Sequence, residues 1–454
     1  VNKKKYIMKI IIAGAYAIGS HLAKLLSRNN QDIVLIDDDE QRLENISSDY
    51  DILTMHASPT SLAALKNAGA ADANLYIAVT PDENLNMNSC VMAKAIGAKK
   101  TVAKVNNYEF VEPEMAKFYE KLGIDSLIYP ENLAAYDIVN GLKMSWVRQR
   151  RDVDGRALVL LGIKLRETCE ILDRPLKELC KPDSPYYIVA IRRDGDTIIP
   201  GGNDVLKMYD LVYFMVTKQY IPYVRKIVGK EHYVDVKNVM IMGGGDTAVR
   251  ALKNMPEYMN VKLMEHDVER CDILNDQIDD QRVMVINGDG RDLQLLNEEG
   301  IHTTQAFVAL TSNAETNILA CLTAKRMGVR KTVAAVENLD YVNMAVSLDI
   351  GTIINKKAIA ASHIYQMMLD AEVNNVRFLM TANADVAEFT AHPESKVTKK
   401  RVFELGLPKG ATIGGLVRNG EGHLVSGGTQ IEAGDIVVVF CYNVRMEKLE
   451  KFFK

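Results

Sequence analysis

Six cysteines (Cys90, Cys169, Cys180, Cys271, Cys321, Cys441) stand far apart, with no C-x-x-C pair and no His/Cys cluster at metal spacing. That argues against a zinc module and a dithiol redox site, and suits reduced, mostly buried thiols in a cytosolic protein. Long hydrophobic runs are missing as well. IVVVF at 436–440 is strand-sized, far below the ~18 residues needed to span a bilayer. The opening VNKKKYIM is basic but leads straight into a strand without an apolar stretch or cleavage site, so it does not read as a signal peptide, and Met8 is a candidate start. A net charge of -4, with basic residues scattered along the chain, leaves no footprint for nucleic acid. What remains is an ordinary globular composition, 48% hydrophobic and 25% charged over 454 residues, enough for about three or four compact units.

The chain repeats itself. KIIIAGAYAIG from Lys9 is answered by NVMIMGGGDTA from Asn238, which pairs Gly14 with Gly243 and Gly19 with Ala248. DIVLIDDDEQRL meets NVKLMEHDVERC, aligning Asp37 with Glu265 and Asp39 with Asp267. Further on, AVTPDENLNMN meets ALTSNAETNIL and places Thr80 on Thr311. Each copy alternates apolar strand runs with amphipathic helical stretches, the pattern of a parallel sheet covered by helices on both faces. In the first copy the strands read KIIIAG, DIVLID, DILTM, LYIAVT and TVAKVN, a unit expected to fall short of the full six-strand version. After each copy come short β-rich runs around the turn signals RDGD and RNGEG, in which Arg193 aligns with Arg418 and Asp210 with Asp435. The sequence therefore predicts an α/β protein: two Rossmann-like doubly wound parallel sheets, each followed by a small α+β (β-rich) domain. The boundaries are expected at 8–127, 146–230, 236–355 and 372–454, with the repeat hinge near 228–238.

In a dinucleotide fingerprint the first glycine permits the tight turn, the second lets the pyrophosphate reach the backbone, and the third lets helix pack on strand. The helix N-terminus then offers unpaired N–H groups to phosphate, and an acid about 20 residues on takes the ribose hydroxyls. The second copy meets each condition with Gly243, Gly244, Gly245, Asp246, Thr247 and Ala248 after an apolar strand, then Glu265 closing the next. The first keeps Gly14, Ala15, Ala17, Ile18, Gly19 and Asp37, but Tyr16 stands where the middle glycine belongs. A phenol there either clashes with the phosphates or swings out and reshapes the mouth. We expect the first site to bind dinucleotide more weakly than the second, or to take a mononucleotide in an altered pose. A carboxylate at Asp37 or Glu265 repels a 2′-phosphate and so favours NAD, ATP or ADP over NADP. Thr80 and Thr311 close the fourth strand of each copy, where each either donates to ribose or phosphate or caps its strand. Lys104, matched by Ala335, is a phosphate contact or a solvated lysine.

No catalytic set accompanies these fingerprints. The eight histidines share no repeat position, spacing defines no nucleophile–base pair, and no Walker lysine motif is present. An NAD-dependent oxidoreductase and a nucleotide-sensing transcription regulator are the alternatives; the second needs a basic helix-turn-helix, which is not visible.

The tandem order and the phrases KIIIAGAYAIGSHLAKLLS, IVLIDDDEQRL, AVTPDENLNM and RRDGDTIIPGGNDVL resemble the TrkA family, from Met8 onward. That resemblance implies RCK (KTN) N-terminal domains alternating with TrkA-C domains. It further implies a non-enzymatic, cytoplasmic regulatory ring, peripheral on the inner face of the cell membrane, in a bacterial Trk/Ktr potassium uptake system. The ring would bind NAD(H) and ATP or ADP, assemble as a homo-oligomer, a tetramer, and act on a TrkH-, TrkG- or KtrB-like potassium-translocating subunit. The family's first site then lands on Gly14 to Ile18, Asp37, Val79, Thr80 and Lys104, and its second on Gly243 to Thr247, Glu265 and Thr311. Three departures fall in the first site: Tyr16 replaces glycine, Lys104 stands where relatives commonly have arginine, and MHASPTS at 55–61 lacks the acidic form kept by NGDGRD at 287–292.

Overall fold

The computed structural model describes residues 8–27, 31–47, 52–153, 157–368, 373–379, 384–444 and 446–454. It divides into two compact units, one formed by Val1–Leu133 with Lys356–Asp370, the other by Ala134–Asn355 with Ala371–Lys454.

The first unit is built on one parallel sheet. Its strands are β1 (Lys9–Ala13), β2 (Asp32–Asp37), β3 (Leu53–His56), β4 (Leu75–Ala78), β5 (Lys100–Lys104) and β6 (Ser126–Ile128), in the order β3-β2-β1-β4-β5-β6. Ile10, Ile11 and Ile12 of β1 are fully buried, as expected for a central strand covered on both faces, where alternation gives way to a continuous apolar run. The sixth strand corrects the five-strand expectation. SLI at β6 is three residues long, too short for a period to show, and it is fixed by pairing with β5 from Val102 to Lys104. The helix Lys356–Met368, which in sequence follows the second α/β copy, packs here against the helix Ala17–Ser27.

The second unit holds the other three sheets. In chain order these begin with an antiparallel sheet of β7 (Gln149–Val153), β8 (Leu158–Lys164), β9 (Tyr186–Arg193), β10 (Asp196–Ile198) and β11 (Leu211–Thr217), arranged β10-β9-β11-β8-β7. A parallel sheet follows, with β12 (Asn238–Met242), β13 (Asn260–Glu265), β14 (Val283–Asn287), β15 (Ala306–Ala309), β16 (Lys331–Ala335) and β17 (Thr352–Ile354). Its order, β14-β13-β12-β15-β16-β17, reproduces the first parallel sheet strand for strand. The last sheet contains β18 (Val373–Leu379), β19 (Ala384–Thr390), β20 (Ala411–Arg418), β21 (Glu421–Leu424) and β22 (Ile436–Cys441), arranged β18-β19-β22-β20-β21.

The hairpin turns expected at RDGD and RNGEG are present. Asp194 and Gly195 have φ of 50° and 92°, and Asn419 and Gly420 have 54° and 80°, the left-handed pair that a two-residue hairpin requires. The repeat-matched Arg193 and Asp210 form an ion pair at 2.7 Å, as do Arg418 and Asp435 at 2.7 Å, with both aspartates almost fully buried. The two antiparallel sheets share one core, in which Leu158, Val189 and Met215 meet Val438 and Phe440. A Cβ on Gly414 would lie 2.6 Å from Val189 Cγ1, so the missing side chain is what lets these sheets close on each other.

Candidate functional site: two glycine-turn clefts

Both parallel sheets open at the carboxyl ends of their central strands, where strand order reverses and ligands of doubly wound folds bind. In the first sheet β1 leads into Gly14, whose φ of 104° and close approach to Thr80 exclude a side chain. A Cβ on Gly19 would fall 1.8 Å from the Gly14 carbonyl oxygen, so the third fingerprint position serves helix–strand packing. The Ala15 N–H donates to Asp37 Oδ2 at 2.5 Å, and Asp37, at the end of β2, is buried. The turn and the ribose-type carboxylate are thus tied together before any ligand is considered.

The first cleft also holds a group that the sequence reading missed. Arg42 donates through Nε and Nη2 to Asp37 Oδ1 at 3.1 and 3.0 Å and reaches Asp39 at 3.1 Å. Its guanidinium lies 4.1 Å from the centroid of the Tyr16 ring. Tyr16 therefore neither fills the turn nor points freely into solvent; it lies over the cleft mouth, 36% exposed, stacked on the arginine that covers Asp37. Ala17 is exposed at the start of the helix, whereas Ile18 and Val79 are buried beneath it.

The second cleft has the same frame and a different cover. Gly244 N–H donates to Glu265 Oε2 at 2.7 Å, and Asp267 N–H to Glu265 Oε1 at 3.0 Å. Burial pushes the Glu265 carboxyl up, but those two N–H groups and the neighbouring His266 outweigh it and hold the group below the usual carboxylate range. Arg270 occupies the repeat position of Arg42 but turns away from the acid. It donates to the Gly244 carbonyl at 2.9 Å and approaches Asp246 at 3.6 Å. At Gly245, the counterpart of Tyr16, an added Cβ would meet nothing within 4 Å. The helix Asp246–Lys253 starts at this open position, with Thr247 and Ala248 buried on its inner side and Asp246 outside. Open space before a helix N-terminus, backed by a buried ionised acid, fits the phosphate and ribose of a nucleotide.

The rim residues are placed alike in both clefts. Thr80 is held by protein partners. Its N–H and hydroxyl both donate to Asn86 Oδ1, at 2.9 and 2.7 Å, while the Asn86 amide donates to the Thr80 and Lys104 carbonyls. Thr311 repeats the arrangement with Asn317 at 3.1 and 2.7 Å. These fully buried asparagines staple the strand end to the following helix. The signal for them was the recurrence of asparagine in DENLNMN and NAETNIL. Lys104 Nζ donates to Asn106 Oδ1 at 2.6 Å, and burial lowers its pKa below the ordinary lysine range. Among the described residues no group of three or more His, Cys, Asp or Glu is placed to hold a metal ion, and no helix is long and apolar enough to cross a membrane.

Comparison with known proteins places each piece. The TrkA-N domain family matches residues 10–130 and 239–356, and the TrkA-C domain family matches 160–229 and 386–454. The Trk system potassium uptake protein TrkA of Halomonas elongata is 30% identical over 98% of this chain and 99% of its own. The protein of that name from Haemophilus influenzae is 29% identical over 98% and 99%. Among solved structures, the GsuK RCK domain covers 99% of this chain and 95% of its own, at 16% identity and a TM-score of 0.59. A GsuK channel bound to NAD superimposes with a TM-score of 0.58 at 15% identity, over 99% of this chain and 79% of its own. These structural likenesses carry the fold.

Proposed function

The chain belongs to the TrkA family, with its two TrkA-N and two TrkA-C domains in tandem, and from that premise we propose that it is a nucleotide-binding regulatory subunit of a potassium uptake system. It is read as cytoplasmic and peripheral on the membrane, acting on a potassium-translocating subunit as a homo-oligomer, with NAD(H), ATP or ADP as ligands and without catalysis. The four functional segments are taken as 8–127, 146–230, 236–355 and 372–454. The observation that carries the reading is the second cleft, where a glycine turn, an open helix N-terminus and the ionised Glu265 meet at one sheet edge.

The residues assigned to ligand there are Gly243 to Thr247 and Glu265, with Thr311 holding the rim through Asn317. In the first cleft they are Gly14 to Ile18 and Asp37, with Val79, Thr80 and Lys104 along the rim. The two clefts are unequal in this reading: ribose reaches Asp37 only after Arg42 leaves it, whereas no arginine covers Glu265, whose Oε1 meets the exposed His266 at 2.8 Å, and the mouth at Gly245 is open. Gating requires a ligand that prefers one conformation, since equal affinity for both shifts nothing. A coupling of ~1–3 kcal/mol per site suffices when several sites act together.

The test is calorimetric titration of the full chain with NADH, ATP and ADP, followed by transport in vesicles reconstituted with the membrane subunit. Two affinity classes and a nucleotide-dependent flux are expected. A flux indifferent to all three nucleotides would remove the regulatory role.

A further inference from the structure

Away from both clefts, the second compact unit holds an open cavity of about 850 Å³ between its first antiparallel sheet and its parallel sheet. Arg148, Lys164, Arg166 and Arg192 line it from the antiparallel side, and Asp349 lines it from the other. Four lining cations face two lining carboxylates, Asp194 and Asp349, in a chain of net charge -4. The imbalance is local and it is steep.

Asp349 does not neutralise it. Arg148 pairs with Asp349 at 2.8 Å, Lys325 at 3.2 Å, and Arg166 also bonds it directly. Burial opposes ionisation of Asp349, and Arg148, Lys325 and Arg166 together overcome it and pull the carboxyl down to about 2. One acid thus serves three bases. Lys164 makes no ion pair or side-chain hydrogen bond among the described residues. Burial, followed by the like charges of Arg166 and Arg148 against the pull of Asp349, lowers its pKa. Arg192, 8% exposed, donates to the Asn343 side chain at 3.1 Å among its partners and also feels the charge of Asp196. A network meant only to hold two sheets together would balance its charges and exclude water; this one is open and over-cationic.

The duplication supplies an internal control. Strand register pairs Leu211 with Lys164 and with Arg192 in the first antiparallel sheet, and Ile436 with Thr390 and with Val417 in the second. Lys164 and Arg192 therefore correspond to Thr390 and Val417, and Arg166, two residues beyond Lys164, corresponds to His392. Asp349 corresponds to Gly123: each precedes the sixth strand of its sheet, with φ of 54° and 96°. An acid sits here in a left-handed conformation that favours glycine, and basic residues stand where the other half has a threonine, a histidine and a valine. The basic set of Lys164, Arg166 and Arg192 stands on the first antiparallel sheet alone, so the shared fold does not require it.

We propose that this cavity is a third ligand site, which binds a small phosphate-bearing polyanion through Lys164, Arg166 and Arg192. The volume lies in the range of small-molecule sites, roughly 300–1,000 Å³, and clustered guanidinium groups suit phosphate oxygens. Tyr209, an exposed lining residue with the Arg166 guanidinium 5.3 Å from its ring centroid, offers an aromatic face to a nucleobase. Two sources share that chemistry, a nucleotide and an inorganic polyphosphate chain.

The experiment uses the full chain at fixed ionic strength with NADH held saturating. Inorganic triphosphate and ADP are titrated separately into the parent and into the K164Q/R192Q variant. At least one probe is expected to bind the parent with one site per chain, and to bind the variant at least ten-fold more weakly. ADP binding tighter than triphosphate identifies a nucleotide; the reverse identifies a polyphosphate chain. A parent that binds neither, or a variant that binds both equally well, overturns the proposal. Because the variant can misfold, the parent is also acylated at its lysines with and without triphosphate and read by mass spectrometry. Protection of Lys164 relative to the exposed Lys237 is expected, and equal labelling of both overturns it. The NADH isotherm of the parent reports separately on the glycine-turn clefts.

Discussion

At the scale of single residues, the two clefts differ by what sits over the acid. The middle fingerprint position was legible as an anomaly in the sequence, because a phenol replaces a hydrogen at Tyr16. Its partner was not, since stacking on Arg42 depends on where the helix Glu40–Ser47 projects a side chain. The aligned arginines in DEQRL and DVERC were visible, yet Arg42 covers Asp37 while Arg270 holds the Gly244 carbonyl. A cation over an aromatic face contributes ~0.5–1 kcal/mol at exposed sites, and its loss frees the arginine to leave the carboxylate. Tyr16→Gly is therefore expected to tighten the weaker class of NADH sites about three- to ten-fold, corresponding to roughly 0.6–1.4 kcal/mol. The tighter class stays where it was. Calorimetric titration of parent and variant side by side measures this, and superimposable isotherms would contradict the role given to Tyr16.

At the scale of elements, apolar runs and turn chemistry exposed most strands, and the ion pairs Arg193–Asp210 and Arg418–Asp435 were already aligned in the repeat. The sixth strands escaped because three residues carry no periodicity; neighbours define them. One of these edges contains an element-level device. Lys331 of β16 is buried and donates to the Val147 carbonyl at 2.7 Å and to Thr352 Oγ1 at 3.1 Å. It thereby stitches the segment before β7 to β16 and β17. Burial, and behind it the charge of Arg148, pushes its pKa down from 10.5 to about 7. Between about pH 7 and 10.5 the unfolded chain holds a proton that the folded chain sheds, so this residue makes stability rise with pH across that window. The contribution is lost as pH falls toward 7, with a total on the order of a few kcal/mol. Lys331→Met removes the titration. Urea unfolding from about pH 6.5 to 9.5 is expected to give a flatter stability profile than the parent, with the variant gaining most at the acid end. Parallel profiles would mean that the folded chain keeps this amine protonated throughout, as the unfolded chain does.

At the scale of the whole chain, the duplication was legible from ordered matches alone, and the family from the resemblance of its tandem order and phrases. The pairing of the helix Lys356–Met368 with the first α/β copy was not, because no local pattern tells a helix which sheet to leave. Two nearly identical frames with different covers make a direct exchange possible. Gly245 has φ of -71° and open space at its Cβ, so Gly245→Tyr is accommodated without backbone strain and converts the second cleft toward the first. Surface changes of this kind stay within ~0.5 kcal/mol of parent stability, which separates a binding defect from a folding defect. NADH affinity of the tighter class is expected to fall at least ten-fold, corresponding to about 1.4 kcal/mol. In reconstituted vesicles, the flux response of Gly245→Tyr then moves to at least ten-fold higher NADH, whereas Tyr16→Gly shifts the response to lower NADH. If Gly245→Tyr kept the parental response while losing affinity, control would belong to the Arg42-covered cleft. The inequality between halves would then run opposite to the one their geometry implies.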